Sequence, residues 1–155
     1  MSNLERLTDE QLSPLLNESE HAFLPSKNSP DETATSLVEK FRDDLNYDAL
    51  GYIIGNRATS YIIALSGRTG NEIAIGPMYV AEDSRGNGLG KQQVLDFVQL
   101  FAERGYRSIY TKTWLGNTAA RHTFESLGFI EVNRYERDRV NGDATISYAH
   151  QIIES

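Results

Sequence analysis

The residues whose types and spacing could do chemistry are concentrated in one stretch, Arg85-Gly86-Asn87-Gly88-Leu89-Gly90-Lys91. Glycines at alternate positions let successive backbone N–H groups converge on one point with no Cβ in the way. From Lys91 to Arg104 the apolar residues Val94, Leu95, Val98, Phe101 and Ala102 recur at helical spacing, and Gly105 supplies a stop. A helix therefore begins where the glycines end, and its N-terminus adds partial positive charge to the nest. Such a place binds an anion, most simply a phosphate. Two phosphate-binding patterns fail on spacing. A P-loop requires glycine where Arg85 stands and Ser or Thr where Gln92 stands, and a dinucleotide fingerprint requires unequal glycine spacing.

The elements around this stretch are strands and helices in mixed order. Thr8 and Gln11 form a capping box, so a helix begins near Thr8, with Pro14 suggesting two short pieces. Ser29-Pro30-Asp31-Glu32 reads as a second helix start, followed by the apolar face Ala34, Leu37, Phe41 and Leu45. Ala49 to Gly55, Thr59 to Leu65 and Glu72 to Ala81 read as an antiparallel meander, separated by Asn56-Arg57 and by residues 66–71. Pro77 inside the third run predicts a bulge or a departure from the neighbouring strand. Ser108 to Trp114 is a fourth run, and Phe129 to Arg137 with Thr145 to Ile153 reads as a hairpin turning at Asn141-Gly142.

Arg85, Gly88 and Gly90 in the order Arg-x-x-Gly-x-Gly, after the strand Met78-Tyr79-Val80, resemble the acyl-CoA pyrophosphate loop of the GNAT superfamily of N-acetyltransferases. A second segment strengthens the resemblance: Asn117 after a strand, Ala120 and Phe124 on a short helix, then Leu127-Gly128-Phe129. Together they extend over residues 48 to 153, and the first third of the chain carries no specific motif. The resemblance implies an α/β (α+β) fold, with a mixed, mostly antiparallel sheet of about six to seven strands and about four helices on its two faces. It also implies a splay between the fourth strand, Glu72 to Ala81, and the fifth, Ser108 to Trp114.

By the same resemblance, Arg85, Gly86, Asn87, Gly88, Leu89, Gly90 and Lys91 would cradle the pyrophosphate of acetyl-CoA. Met78, Tyr79 and Val80 would hold the pantetheine arm and the acetyl carbonyl, with the Val80 N–H facing the oxyanion. Asn117 would bind the arm or cap the following helix. Glu72, at a spacing from Arg85 resembling the catalytic glutamate of histone-acetyltransferase members, is the candidate base, set against a solvated carboxylate beside a turn. Phe124 stands where the family usually has a tyrosine that protonates the departing thiolate, so Tyr148, Tyr110 or water would have to substitute. The first helices and the loop between them would line an acceptor site, making His21 and Phe23 candidate contacts, while Trp114, Tyr110 and Tyr148 are candidates to line the pocket, set against core packing as the default reading. A lone histidine such as His122 or His150 is more often structural.

Composition narrows the partners. At 155 residues the chain is expected to form one domain, 1–155. A net charge of -7 with no basic run disfavours nucleic acid and accommodates a cationic acceptor. With no cysteine there is no disulfide, thiolate metal site or thiol nucleophile, and scattered histidines offer no metal site. No apolar run reaches a membrane span and no signal peptide is evident, so a cytoplasmic location is expected. The chain therefore reads as an acetyl-CoA-dependent N-acetyltransferase acting directly on a small-molecule or peptide primary amine. A catalytically weak acyl-CoA-binding sensor is the alternative, and the resemblance admits a homodimer.

Overall fold

The structure, a computed structural model, describes residues 3–44, 46–66 and 70–152. Thr8 fixes the first helix: its Oγ1 accepts from Gln11 N at 3.2 Å, while its own N–H donates to Gln11 Oε1 at 2.9 Å. Helix α1 (Asp9–Glu18) runs as one piece with Pro14 inside it, not as the two pieces expected from the sequence. The ring removes one backbone hydrogen bond, but Leu12, Leu15 and Leu16 are buried along one face and hold the helix continuous. Helix α2 (Ala34–Asp44) starts at Thr33 rather than at Ser29-Pro30. Thr33 N donates to Ser36 Oγ at 2.8 Å and Ser36 N to Thr33 Oγ1 at 3.1 Å, so a serine closes the reciprocal cap where glutamate is usual. Ala34 and Val38 are its buried residues, and Leu45 lies outside the described residues.

The strands are β1 (Glu5–Arg6), β2 (Asn46–Gly51), β3 (Ile53–Ile54), β4 (Arg57–Ala58), β5 (Ser60–Ser66), β6 (Glu72–Val80), β7 (Ser108–Trp114), β8 (Ile130–Tyr135) and β9 (Thr145–Gln151). Helix α3 (Leu89–Glu103) joins β6 to β7, and α4 (Thr118–Ser126) joins β7 to β8. Seven strands form one sheet in the order β1-β2-β5-β6-β7-β9-β8, while β3 and β4 make a separate ribbon. Among the described residues every pair in the large sheet is antiparallel except β6 with β7. Successive residues of β5 serve opposite faces. Tyr61, Ile63 and Leu65 pack with Leu12, Leu16 and Val38 of α1 and α2, whereas Ile62 and Ala64 join Val94, Phe97 and Phe124 of α3 and α4. The fold is the expected mixed α/β sheet with helices on both faces.

Two irregularities in β6 open the middle of the sheet. Ile62 pairs with Met78 and Ala64 with Ile75, so Ile63 faces both Gly76 and Pro77. Proline has no N–H for the ladder, and the bulge falls where the sequence places it. On its other edge β6 pairs with β7 from Glu72↔Ser108 to Ile75↔Thr111 and no further. Residues 76–80 and 112–114 then part, leaving a fork inside the sheet.

The hairpin between β8 and β9 is longer than Asn141-Gly142 suggests. A type I′ turn needs positive φ at both central residues, yet Gly142 has φ 89 and Asn141 is not in that region. The turn is instead closed by Gly142 N to Arg139 O at 2.9 Å and Arg139 N to Asp143 O at 3.0 Å. Residues 136–144 leave the sheet because they pair elsewhere: Ser26 bridges Arg139, Lys27 N donates to Asp138 O at 2.8 Å, and Val140 N to Pro25 O at 3.0 Å. Among the described residues, no helix is long and apolar enough to cross a membrane.

Candidate functional site

Backbone direction in β6 decides what the fork offers. Ala81 N donates to Thr59 O at 2.9 Å, and Tyr61 stands opposite Tyr79, so these residues turn their polar groups toward β5. Alternation then turns the N–H and C=O of Met78 and Val80 to the opposite edge, into the fork, where β7 no longer pairs with them.

The glycine loop ends against the same strand. Gly86 and Gly88 have φ of 91 and 72, the left-handed region that glycine alone enters at no steric cost. Gly88 is the N-cap of α3 and provides no side chain, the first turn holds no acid, and Gln92 N to Gly88 O at 3.0 Å is the bond that opens the helical ladder. The N–H groups of Leu89, Gly90 and Lys91 therefore point out of the helix end without intrahelical acceptors. The helix begins at Leu89, earlier than the apolar pattern alone suggests. A Cβ on Gly90 would lie 3.8 Å from Val80 Cγ2, so the nest and the open end of β6 touch.

Arg85 folds back onto the strand. Its Nε donates to Val80 O at 3.0 Å, and its guanidinium carbon lies 4.9 Å from the centre of the Tyr79 ring. Tyr79 OH in turn donates to Glu18 Oε2 at 2.8 Å, and the same oxygen accepts from Glu82 N at 2.9 Å. Partial burial, and then the Glu18 carboxylate, push the Tyr79 hydroxyl above its ordinary pKa. Glu18 is not legible in the sequence, because it ends α1 and meets Tyr79 only through the packing of α1 and α2 on the sheet. A carboxylate at the last turn of a helix carries no local signal of this kind.

Asn117 stands on the β7 side of the fork. Its Oδ1 accepts from Ala120 N at 3.4 Å as the cap of α4, and its Nδ2 donates to Thr113 Oγ1 at 3.0 Å. Phe124 is buried, with ring centres 5.3 Å from Phe129 and 5.7 Å from Tyr148. Tyr148 is also buried on the α3 and α4 face; its hydroxyl donates to Glu125 Oε2 at 2.6 Å and accepts from Arg121 Nε at 3.2 Å. Burial raises its pKa, reinforced by the hydrogen bond to Glu125.

Met78, Tyr79, Val80, the loop from Arg85 to Lys91 and Asn117 thus gather around the fork. Glu72 does not join them. It is exposed and pairs with Ser108 at the closed end, eight residue steps from Val80, or roughly 25 Å along the strand. His21 and His122 are exposed, and His150 stacks on Phe129 at 4.9 Å with Nδ1 3.1 Å from Gly128 O. On the α1 and α2 side, Arg139 lies over Trp114 at 5.6 Å and donates through Nε to Thr145 Oγ1 at 2.7 Å. It fastens the segment around Leu24 to the hairpin, and burial lowers its pKa.

Solved structures share this architecture at low identity. Among them, the ribosomal-protein-S18-alanine N-acetyltransferase of Escherichia coli is 19% identical, covers 100% of this chain and 96% of its own, and superposes with a TM-score of 0.76. The aminoglycoside 6'-N-acetyltransferase of Enterococcus faecium is 17% identical, with 98% of each chain covered and a TM-score of 0.69. A chain of the NatC complex bound to Gag peptide and CoA is 18% identical, with 96% of each chain covered and a TM-score of 0.69. No curated protein matches the sequence. The family model described as "Acetyltransferase (GNAT) family" matches residues 4–129, most of the chain and all of the loop, the fork and α4. This chain belongs to that family and is an acetyltransferase.

Proposed function

We propose that the chain transfers an acetyl group from acetyl-CoA directly to a primary amine that reaches the fork from the α1 and α2 side. The observation that carries the reading is the pair of Met78 and Val80 N–H groups turned into the fork, directly against an uncapped α3 N-terminus. The N–H groups of Leu89, Gly90 and Lys91 suit a pyrophosphate. The polar edge of Met78 to Val80 and the Asn117 side chain suit the amides of a pantetheine arm, which would lie in the fork as a strand does. The Val80 N–H suits the thioester oxygen as it gains charge during attack.

In this reading the amine nitrogen attacks the carbonyl carbon, the C–N bond forms, the C–S bond breaks and CoA leaves as the thiolate. A second proton leaves the nitrogen as the tetrahedral intermediate collapses and passes through water to the departing thiolate; before attack, the ammonium must lose its first proton. We assign its acceptance, through water, to Glu18 rather than Glu72. Glu18 is held by Tyr79 and Glu82 beside the open end of β6, whereas Glu72 lies at the closed end. The Tyr148 proton is engaged by Glu125 and Phe124 has no hydroxyl, so thiolate departure is left to water. A thiolate with a conjugate-acid pKa of about 8.5 leaves tolerably near neutral pH.

The acceptor is expected to be cationic before reaction, in keeping with the net charge of -7. With no cysteine to carry the acyl group, kinetics should be sequential. The test is thiol release from acetyl-CoA across a panel of polyamines, amino acids, aminoglycosides and peptides, with mass spectrometry of the products. An acetylated amine is expected. Tight acetyl-CoA binding without turnover on any amine, or an acetylated protein intermediate, would overturn the proposal.

A further inference from the structure

β8 is the last strand of the sheet, so one of its edges presents unpaired backbone N–H and C=O groups. All six of its residues are exposed, and it carries Ile130, Val132 and Tyr135 at 69%, 57% and 44% exposure. Those are three of the seven large hydrophobic side chains exposed among the described residues. Folded chains often blunt such an edge with charged side chains, above all lysine. Here the charges have opposite signs and sit symmetrically about the strand centre, Glu131 on one side of Val132-Asn133 and Arg134 on the other.

The bulge in β8 puts these charges on one face. Glu131 pairs with Tyr148 and Asn133 with Ser147, so Val132 is the extra residue and Arg134, opposite Ile146, falls on the same side of the sheet as Glu131. The two form an ion pair within the strand, Arg134 Nη2 to Glu131 Oε1 at 2.9 Å and Nε to Oε2 at 3.1 Å. Ile130 and Tyr135 lie together on the other face, opposite Ala149 and Thr145.

We propose that β8 is a self-complementary edge that pairs antiparallel with β8 of a second copy of this chain, about a two-fold axis between Val132 and Asn133. A two-fold axis makes the contact isologous. In that register each Glu131 meets the second copy's Arg134, and each Ile130 meets the second copy's Tyr135. A second copy is the occupant that the strand's own charges specify: the Glu131–Arg134 pair presents an anion and a cation in fixed order along the edge, and an antiparallel second copy sets the opposite sign against each, extending the pair into a four-charge cluster. Pairing would also satisfy the open backbone edge and cover the exposed apolar side chains, joining two sheets into one.

The experiment measures mass in solution by light scattering and sedimentation equilibrium at about 100 µM, well above a micromolar dissociation constant. The wild type is expected at twice the 17.4 kDa chain mass. Glu131→Arg and Arg134→Glu are each expected as monomers, because each sets like charges against each other twice per interface. Both positions are exposed, and circular dichroism and thermal melts confirm that the variants fold. Mixing the two single variants should restore a dimer of one chain of each kind, and so should the double exchange Glu131→Arg with Arg134→Glu in one chain. A monomeric wild type, dimers in both single variants, or no recovery on mixing would overturn the proposal. The mass readout does not depend on acetyl transfer, so its failure and failure of the proposed activity are separate results.

Discussion

Arg85 Nε donates to the carbonyl of Val80 at 3.0 Å, and Val80 directs its N–H to the same fork edge as that carbonyl. The arginine of the loop motif therefore fixes the Val80–Ala81 peptide, the unit that follows the Val80 N–H assigned to the thioester oxygen. Replacing Arg85 with Ala should lower kcat by about tenfold or somewhat more, since a hydrogen bond from a charged group contributes about 1.5 to 3 kcal/mol and tenfold in rate corresponds to about 1.4 kcal/mol. Steady-state kinetics decide this: a raised KM for acetyl-CoA with unchanged kcat would mean that Arg85 serves only the phosphates.

Gly88→Val should abolish acetyl-CoA binding in a folded protein. No atom lies within 4 Å of a Cβ placed there, so the cost is conformational: φ of 72 strains a β-branched residue and shifts the N–H groups of the nest. Isothermal calorimetry on the variant would reject the site if affinity stayed at the wild-type value.

Glu18→Gln should reduce kcat/KM by about 10² to 10³, the scale expected for losing a proton acceptor. Glu72→Gln should leave kcat/KM unaltered, in keeping with its place at the closed end of the fork. The reverse pattern would return the base to Glu72 and detach Glu18 from the chemistry.

Tyr148→Phe should cost about 1.5 to 3 kcal/mol in stability, because it removes a buried hydroxyl bonded to charged partners Glu125 and Arg121, yet leave kcat within about a factor of two. Denaturant unfolding beside steady-state rates separates the two roles. A large fall in kcat at unchanged stability would make Tyr148 the acid for the thiolate.

Alkaline stability should fall between about pH 10 and pH 12. Burial pushes the Tyr61 hydroxyl up to about 12, with its bond to Ser19 opposing the shift. Above about pH 10 the unfolded chain loses the tyrosine proton while the native chain keeps it, so native stability drops by up to about 1.4 kcal/mol per pH unit until the folded pKa is passed. Tyr61→Phe should lessen that slope in chemical denaturation measured across the range; an unchanged slope would show that the other tyrosines carry it.

What could be read from the sequence was whatever local rules specify. The alternating glycines, the cap at Thr8, the bulge at Pro77 and the bounds of β7 each depend on a few neighbouring residues. Local chemistry also misled: Ser29-Pro30 looks like a helix start, but Thr33 and Ser36 cap each other and win. Asn141-Gly142 looks like a tight hairpin, but Arg139 bridges Ser26, and that long-range pairing lengthens the connection. Glu18 could not be read at all. Its contact with Tyr79 joins residues 61 apart and exists only once α1 and α2 pack on the sheet.

The two halves of the sheet, β1-β2-β5-β6 and β7-β9-β8, are laced together by only four residue pairs, Glu72 to Ile75 with Ser108 to Thr111. The amides of Met78 and Val80 are then the open margin of one half, although they lie in the middle of the fold. Amide hydrogen exchange should be fast at these positions in the free protein and slow when a ligand spans the fork, while the four lacing pairs stay protected throughout. Substrate would act as a stitch in the sheet, and the melting temperature should climb with its concentration.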